Sequence, residues 1–291
     1  NTSYCNLIHF QISLLFSQRG EPSQKLQMGT PSLRMEQEIL SRLNNVELEE
    51  GVKILYACES GSRAWGFPSS DSDYDVRFLY LHPKKWYLSI DLERKRDVIE
   101  RPINDQIDLS GWDLRKVLGL FHKSNPPLLE WLSSPIIYLE KYSIATRMRE
   151  LAPVYYSPKA CMYHYLHMAR GNYREYLKGE RVWIKKYFYI LRPLLAINWL
   201  ERGLGVAPTE FRVLVERVID SKELKREIGK LIEAKEQGEE LDYGPRIPVI
   251  GNFIDSEMER LDGKEFTDGT EKQPIDKLND LFRAALEEVW S

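Results

Sequence analysis

The stretch Gly61-Ser62-Arg63-Ala64-Trp65-Gly66, running on to Ser72-Asp73-Tyr74-Asp75-Val76, constrains the fold of this chain more than any other. Before it lies Ile54-Leu55-Tyr56-Ala57-Cys58, a short apolar run closed by Glu59-Ser60-Gly61-Ser62, which predicts a strand ending in a turn. Asp73-Tyr74-Asp75 predicts the start of a second strand, which Val76 to Leu81 continues. Side chains alternate along a strand, so Asp73 and Asp75 are expected on the same face. Two hard oxygen donors side by side suit Mg²⁺, which proteins hold with one or two carboxylates plus substrate phosphates. A turn of small residues lets backbone N–H groups approach a phosphate. Strand, turn and paired carboxylates together fit metal-assisted nucleotidyl transfer, although either half alone also fits an ordinary solvated turn.

These residues, Gly61-Ser62 and then Asp73-Tyr74-Asp75-Val76, resemble the signature of the DNA polymerase beta-like nucleotidyltransferase superfamily. Further blocks look like its branch known as the RNA-repair-pathway DNA polymerase beta family. They are Ile107-Asp108-Leu109-Ser110-Gly111-Trp112, Lys123-Ser124-Asn125-Pro126-Pro127 with Leu128-Leu129-Glu130-Trp131-Leu132, and Lys185-Lys186-Tyr187-Phe188-Tyr189 with Leu191-Arg192-Pro193. The resemblance runs from about Met35 to the C-terminus, and its last stretch, after about residue 220, says little.

The resemblance implies an α+β chain: a small mixed-sheet nucleotidyltransferase lobe followed by an all-helical lobe. It also implies a third metal carboxylate from another strand. Asp108, in a predicted strand from Arg101 to Leu109, is the best match. Asp105 and Asp113 compete, and Asp113 suits the start of the next helix, where an acidic side chain is favoured. Ser62 is expected on the β- or γ-phosphate with the Gly61 and Ser62 amides assisting, and Arg63 either joins them or pairs with Glu59. Related transferases grip the triphosphate from the helical lobe, which makes Lys186 and Arg192 candidates beside the alternative of a packed Lys-Tyr-Phe face. Asn125 and its neighbours either touch the nucleotide or cap the helix that follows.

With 291 residues the chain can hold one large or two modest domains. Strand-like patterns come early and helical stripes late, such as Met162, Leu166, Ala169 and Tyr173, or Leu278, Leu281 and Leu286. The expected division is a leader of residues 1–34, disordered or not native, a catalytic domain of 35–150 and a helical domain of 151–291. The leader is rich in Ser, Pro, Gln and Gly, and Met35 would make a natural start. No apolar run approaches the ~20 residues of a membrane span. Three scattered cysteines make no disulfide framework, so a reducing cytoplasm is expected. The net charge of −3 gives no global footprint for long nucleic acid, while leaving room for a local basic surface.

The leading expectation is an enzyme that uses Mg²⁺ or Mn²⁺ to move a nucleoside monophosphate from an NTP to a hydroxyl, releasing pyrophosphate, with Asp73, Asp75 and Asp108 as the catalytic and metal-holding residues. The acceptor is open among an RNA 3′ end, a protein hydroxyl and a small molecule. A non-catalytic nucleotide- or RNA-binding module is the second class, and a protein-modifying component of a toxin–antitoxin-like pair the third. The oligomeric state and the preferred NTP are not readable from the residues.

Overall fold

The computed structural model describes residues 31–104, 106–239, 241–267 and 273–291. The expected leader lies almost wholly outside the described residues. The first described helix, α1 (Leu33–Glu50), starts two residues ahead of Met35, with the Ser32 hydroxyl accepting from the Met35 N–H at 3.3 Å.

The described residues form two compact units whose make-up does not follow chain order. The first takes residues 31–64, 72–156 and 273–291; the second takes 65–71 and 157–267. The chain therefore passes into the second unit after residue 156. The closing helix, counted by its position among the helical residues 151–291, belongs instead to the first unit.

The first unit is built on a five-stranded mixed sheet. Its strands are β1 (Lys53–Glu59), β2 (Tyr74–Leu81), β3 (Val98–Asn104), β4 (Ile107–Asp113) and β5 (Ile137–Glu140), in the order β3-β4-β2-β1-β5. β2 and β4 run parallel; the other neighbours are antiparallel. The single strand expected over Arg101–Leu109 is thus the junction of two strands, turning where Gln106 has φ +66°. Gly111 of β4 sits opposite Phe78 of β2, and a Cβ there would collide with the Phe78 ring, so glycine lets the ring lie flat on the neighbouring strand.

Alternation decides which side chains meet. Val76, Phe78 and Tyr80 of β2, with Ile107 and Leu109 of β4, join Ile39, Leu43 and Val46 of α1 in one apolar cluster. Asp75, Arg77, Asp108 and Ser110 therefore emerge on the opposite face. Along that face Trp112 packs against Trp131 with ring centroids 3.9 Å apart and the planes tilted by 33°, which joins two of the sequence blocks singled out above. Helices α2 (Gly61–Trp65), α3 (Lys84–Tyr87), α4 (Leu114–His122), α5 (Pro126–Leu132) and α6 (Ile144–Tyr155) complete the run to residue 156. Asn125 caps α5 by accepting from the Leu128 N–H at 3.2 Å, which answers the choice left open for it in favour of the cap.

The second unit holds α7 (Pro158–Tyr176), α8 (Lys186–Glu201), α9 (Phe211–Val218), α10 (Lys222–Glu236) and α11 (Pro248–Arg260). Residues 65–71 contribute Phe67, stacked on Phe188 at 4.6 Å and edge-on to Phe211 at 5.5 Å. This unit is not purely helical: β6 (Arg181–Trp183) and β7 (Tyr243–Pro245) pair as an antiparallel ribbon. The last helix, α12 (Asp276–Trp290), buries Leu278, Leu281 and Leu286. No helix among the described residues is long and apolar enough to cross a membrane.

Candidate active site

The parallel pairing of β2 with β4 sets Asp75 directly beside Asp108. Both side chains emerge on the face away from α1 and are half-buried. Arg77, two residues on and so on the same face, closes the pair. Its Nη2 donates to Asp108 Oδ2 at 2.8 Å and to Asp75 Oδ1 at 3.1 Å. Its Nη1 donates to the Asp108 and Val76 carbonyls, both at 3.2 Å. One guanidinium thus bridges two carboxylates brought together by register, which leaves the trio with a net negative charge.

Asp73 precedes β2 and is exposed. Among the described residues no three His, Cys, Asp or Glu side chains are already gathered as a metal cage. Asp75 and Asp108 form the assembled part, and Asp73 stands apart from it. Their oxygens fit a hard divalent ion, and Arg77 shows that the pair takes positive charge. Of the competing carboxylates, Asp113 is buried at the start of α4. It accepts from the Arg115 N–H at 2.8 Å and from the Tyr87 hydroxyl at 2.5 Å, and burial pushes its carboxyl up to about 6. Asp105 lies outside the described residues.

The Gly-Ser turn opens α2. Gly61 has φ +62°, and a Cβ there would collide with the Asp75 carboxylate. Glycine is required because the acid lies against the backbone, a close approach no other residue permits. Ser62 follows, half-buried, and the Ser60 N–H ties the turn to the Asp75 carbonyl at 2.9 Å. Arg63 points inward. Its Nη2 donates to the Ser72 carbonyl at 2.7 Å and its Nε to that of Asp73 at 3.3 Å, with the guanidinium 3.7 Å from the Tyr74 ring centroid. It fixes the backbone that carries Asp73, and it makes no ion pair with Glu59 among the described residues.

Glu59 is a member of this site that sequence reasoning missed. The last residue of β1, it is fully buried, accepting the Asp75 N–H at 2.8 Å on Oε1 and the Tyr138 hydroxyl on Oε2. Burial raises its carboxyl from 4.5 to about 7, against the lowering effect of those two hydrogen bonds. Arg77 was the second omission, although its two-residue spacing from Asp75 was visible as a signal.

The remaining candidates lie in the second unit. Lys186 opens α8, half-buried, with Nζ 4.2 Å from the Tyr176 ring centroid and 4.9 Å from that of Tyr189. Arg192 is enclosed: it is 3% exposed, and its guanidinium lies 5.2 Å from the Trp65 ring centroid.

Comparison with known proteins agrees with the blocks from which this site is built. The chain is 51% identical over 257 residues to the uncharacterized protein YcgL of Bacillus subtilis (strain 168), covering 88% of this chain and 98% of that one. Among solved structures, a nucleotidyltransferase-like protein from Exiguobacterium sibiricum 255-15 aligns over 88% of each chain, with a TM-score of 0.30 and 12% identity. The model of the RNA repair pathway DNA polymerase beta family matches residues 35–284, a span that takes in the Gly-Ser turn and all three carboxylates. By that match, the chain belongs to the RNA repair pathway DNA polymerase beta family.

Proposed function

We propose that this protein is a metal-dependent nucleotidyltransferase that moves a nucleoside monophosphate from an NTP to the 3′ hydroxyl of an RNA, releasing pyrophosphate. The observation that carries the reading is the Asp75–Asp108 pair, set side by side by strand register and charge-matched by Arg77. A bound Mg²⁺ or Mn²⁺ would supply charge neutralisation at the triphosphate and acidify the attacking hydroxyl. Asp75 and Asp108 are the residues to hold it, with Asp73 joining when nucleotide arrives. The acceptor oxygen attacks the α-phosphorus, the bond to the β-phosphate oxygen breaks, and pyrophosphate carries away the electron pair. The carboxylate of Asp108 accepts the hydroxyl proton. Gly61 and Ser62 offer amide and hydroxyl donors to the triphosphate. Arg63 and Arg192 serve structure, the one holding the Asp73 backbone and the other lying on Trp65.

RNA is favoured as acceptor by the family to which the chain belongs. One observation supports a second reading as a non-catalytic nucleotide-binding module: Arg77 pairs with both carboxylates and offsets half of their charge. The test is transfer of label from [α-³²P]NTP to total RNA and total protein, with and without Mg²⁺ or Mn²⁺. Metal-dependent label in RNA, lost in Asp75→Asn and Asp108→Asn proteins of unchanged circular dichroism, is the expected result. Label in protein instead would replace the acceptor, and no transfer together with NTP binding would establish the binding module.

A further inference from the structure

The helical unit carries a surface that the reaction chemistry does not use. On the β6–β7 ribbon Trp183 lies opposite Tyr243, and both are exposed, at 43% and 58%. Tyr176, at the end of α7, meets Trp183 edge-on at 6.2 Å. Beyond it Lys186 bridges to Tyr189, which is 39% exposed. At the other end the Arg181 guanidinium lies 5.8 Å from the Tyr243 ring centroid. The result is a row of rings interleaved with cations, on a backbone fixed by hydrogen bonds from Ile184 and Lys185 to Asp242 and Leu241 and from Arg246 to Glu180.

The segment that leads into the ribbon is basic, whereas the β7 side carries Glu239 and Asp242. Residues 157–186 hold seven Lys and Arg and two carboxylates, Glu175 and Glu180, in a chain whose net charge is −3. A three-residue, two-stranded ribbon gains little stability from leaving two large aromatic rings in water. Rings with an exposed face beside a basic backbone track match what a single nucleic-acid strand offers: a π-face on every base and a phosphate between them.

We propose that this ribbon surface is a platform for single-stranded RNA, with bases stacking on Trp183 and Tyr243 and phosphates meeting Arg181 and Lys178. Calling that strand RNA, and calling it the acceptor, rest on the function proposed above; the stacking of a single strand on the rings does not. The test is fluorescence anisotropy of a labelled 12-nucleotide oligo(A) RNA with the full chain, without NTP or metal. Wild type should bind, more weakly as salt rises. Trp183→Ala should weaken binding about tenfold. Arg181→Glu, which removes the guanidinium's hydrogen bond to the Tyr243 carbonyl but keeps the backbone pairing of the ribbon, should also weaken it and lower the salt slope by about one. A duplex of the same length should bind at least tenfold more weakly. Absence of wild-type binding, unchanged affinity in both variants, preference for the duplex, or equal affinity for the matching DNA strand would overturn the proposal. Label transfer to RNA that the ribbon variants do not affect would also count against the platform while leaving the transferase standing. Binding that depends on Trp183 without any transfer would uphold the platform and remove the transferase.

Discussion

Arg77 occupies the charge position that a divalent ion would take, which makes Arg77→Met the most informative single change. Its Nη2 touches Asp108 Oδ2 at 2.8 Å and Asp75 Oδ1 at 3.1 Å, so Arg77 would compete for charge with a divalent ion held by the same two carboxylates. A hydrogen bond to a charged group contributes about 1.5–3 kcal/mol. Here the Arg77, Asp75 and Asp108 side chains are 18%, 30% and 28% exposed, so solvent screens the pair and the lower end applies. Removing a competitor of about 1.5 kcal/mol should tighten Mn²⁺ binding about tenfold. The same change leaves two neighbouring carboxylates without their counter-charge. The metal-free variant should therefore unfold more readily, and saturating Mn²⁺ should stabilise it more than it stabilises wild type. Calorimetric titration with Mn²⁺ and urea denaturation with and without the ion read the two effects. Unchanged or weaker Mn²⁺ affinity in the variant would refute the reasoning and reduce Arg77 to a strut between strands.

Gly61→Ala should lower stability by about 1–3 kcal/mol, since it forces a side chain into a left-handed conformation and against Asp75, and it should cut transfer more than stability alone predicts. Urea denaturation beside the label-transfer assay checks this, and wild-type values in both would overturn it. Glu59→Gln tests the buried acid. Because its folded pKa is raised from 4.5 to about 7, the native state holds the proton more tightly than the unfolded chain. Wild-type stability from this group is greatest below pH 4.5 and is lost as pH rises through about 7, by about 3 kcal/mol in all. The stability difference should thus move in favour of the variant between pH 4 and pH 8, and an equal difference at both would refute it.

The strand pattern was legible where apolar residues alternate over several positions, as in Val76, Phe78 and Tyr80. It failed between β3 and β4, which were expected as one strand over Arg101–Leu109, because no apolar pattern marks the reversal at Gln106 or the start of β3 at Val98. The ribbon strands at 181–183 and 243–245 span three residues each, too short for a period-two signal. Helix α12 was visible as a stripe of Leu278, Leu281 and Leu286, yet a stripe states only that a face is buried. Its hydrogen-bonded neighbours in the first unit decide the matter, with Glu288 accepting from the Ser143 N–H and hydroxyl at 2.8 and 2.6 Å.

The site divides along the same physical line. Facing direction is local, because alternation fixes it, so Asp75 and Asp108 could be assigned to faces from sequence. Their adjacency depends on the register of β2 against β4, and a slip of one residue would put Asp108 on the opposite face. The cations resisted prediction for a different reason. A free Arg or Lys beside a triphosphate is an expectation about solvent-facing charge, whereas Arg63 turns inward onto the Ser72 and Asp73 carbonyls and Arg192 lies on Trp65. Guanidinium groups satisfy buried carbonyls and lie on ring faces readily, since their charge is spread and weakly hydrated. Glu59 shows the converse. A carboxylate at a strand end reads as solvated, but here it is enclosed and holds the Asp75 N–H, so the position of β2 rests on an acid whose burial no local pattern announces.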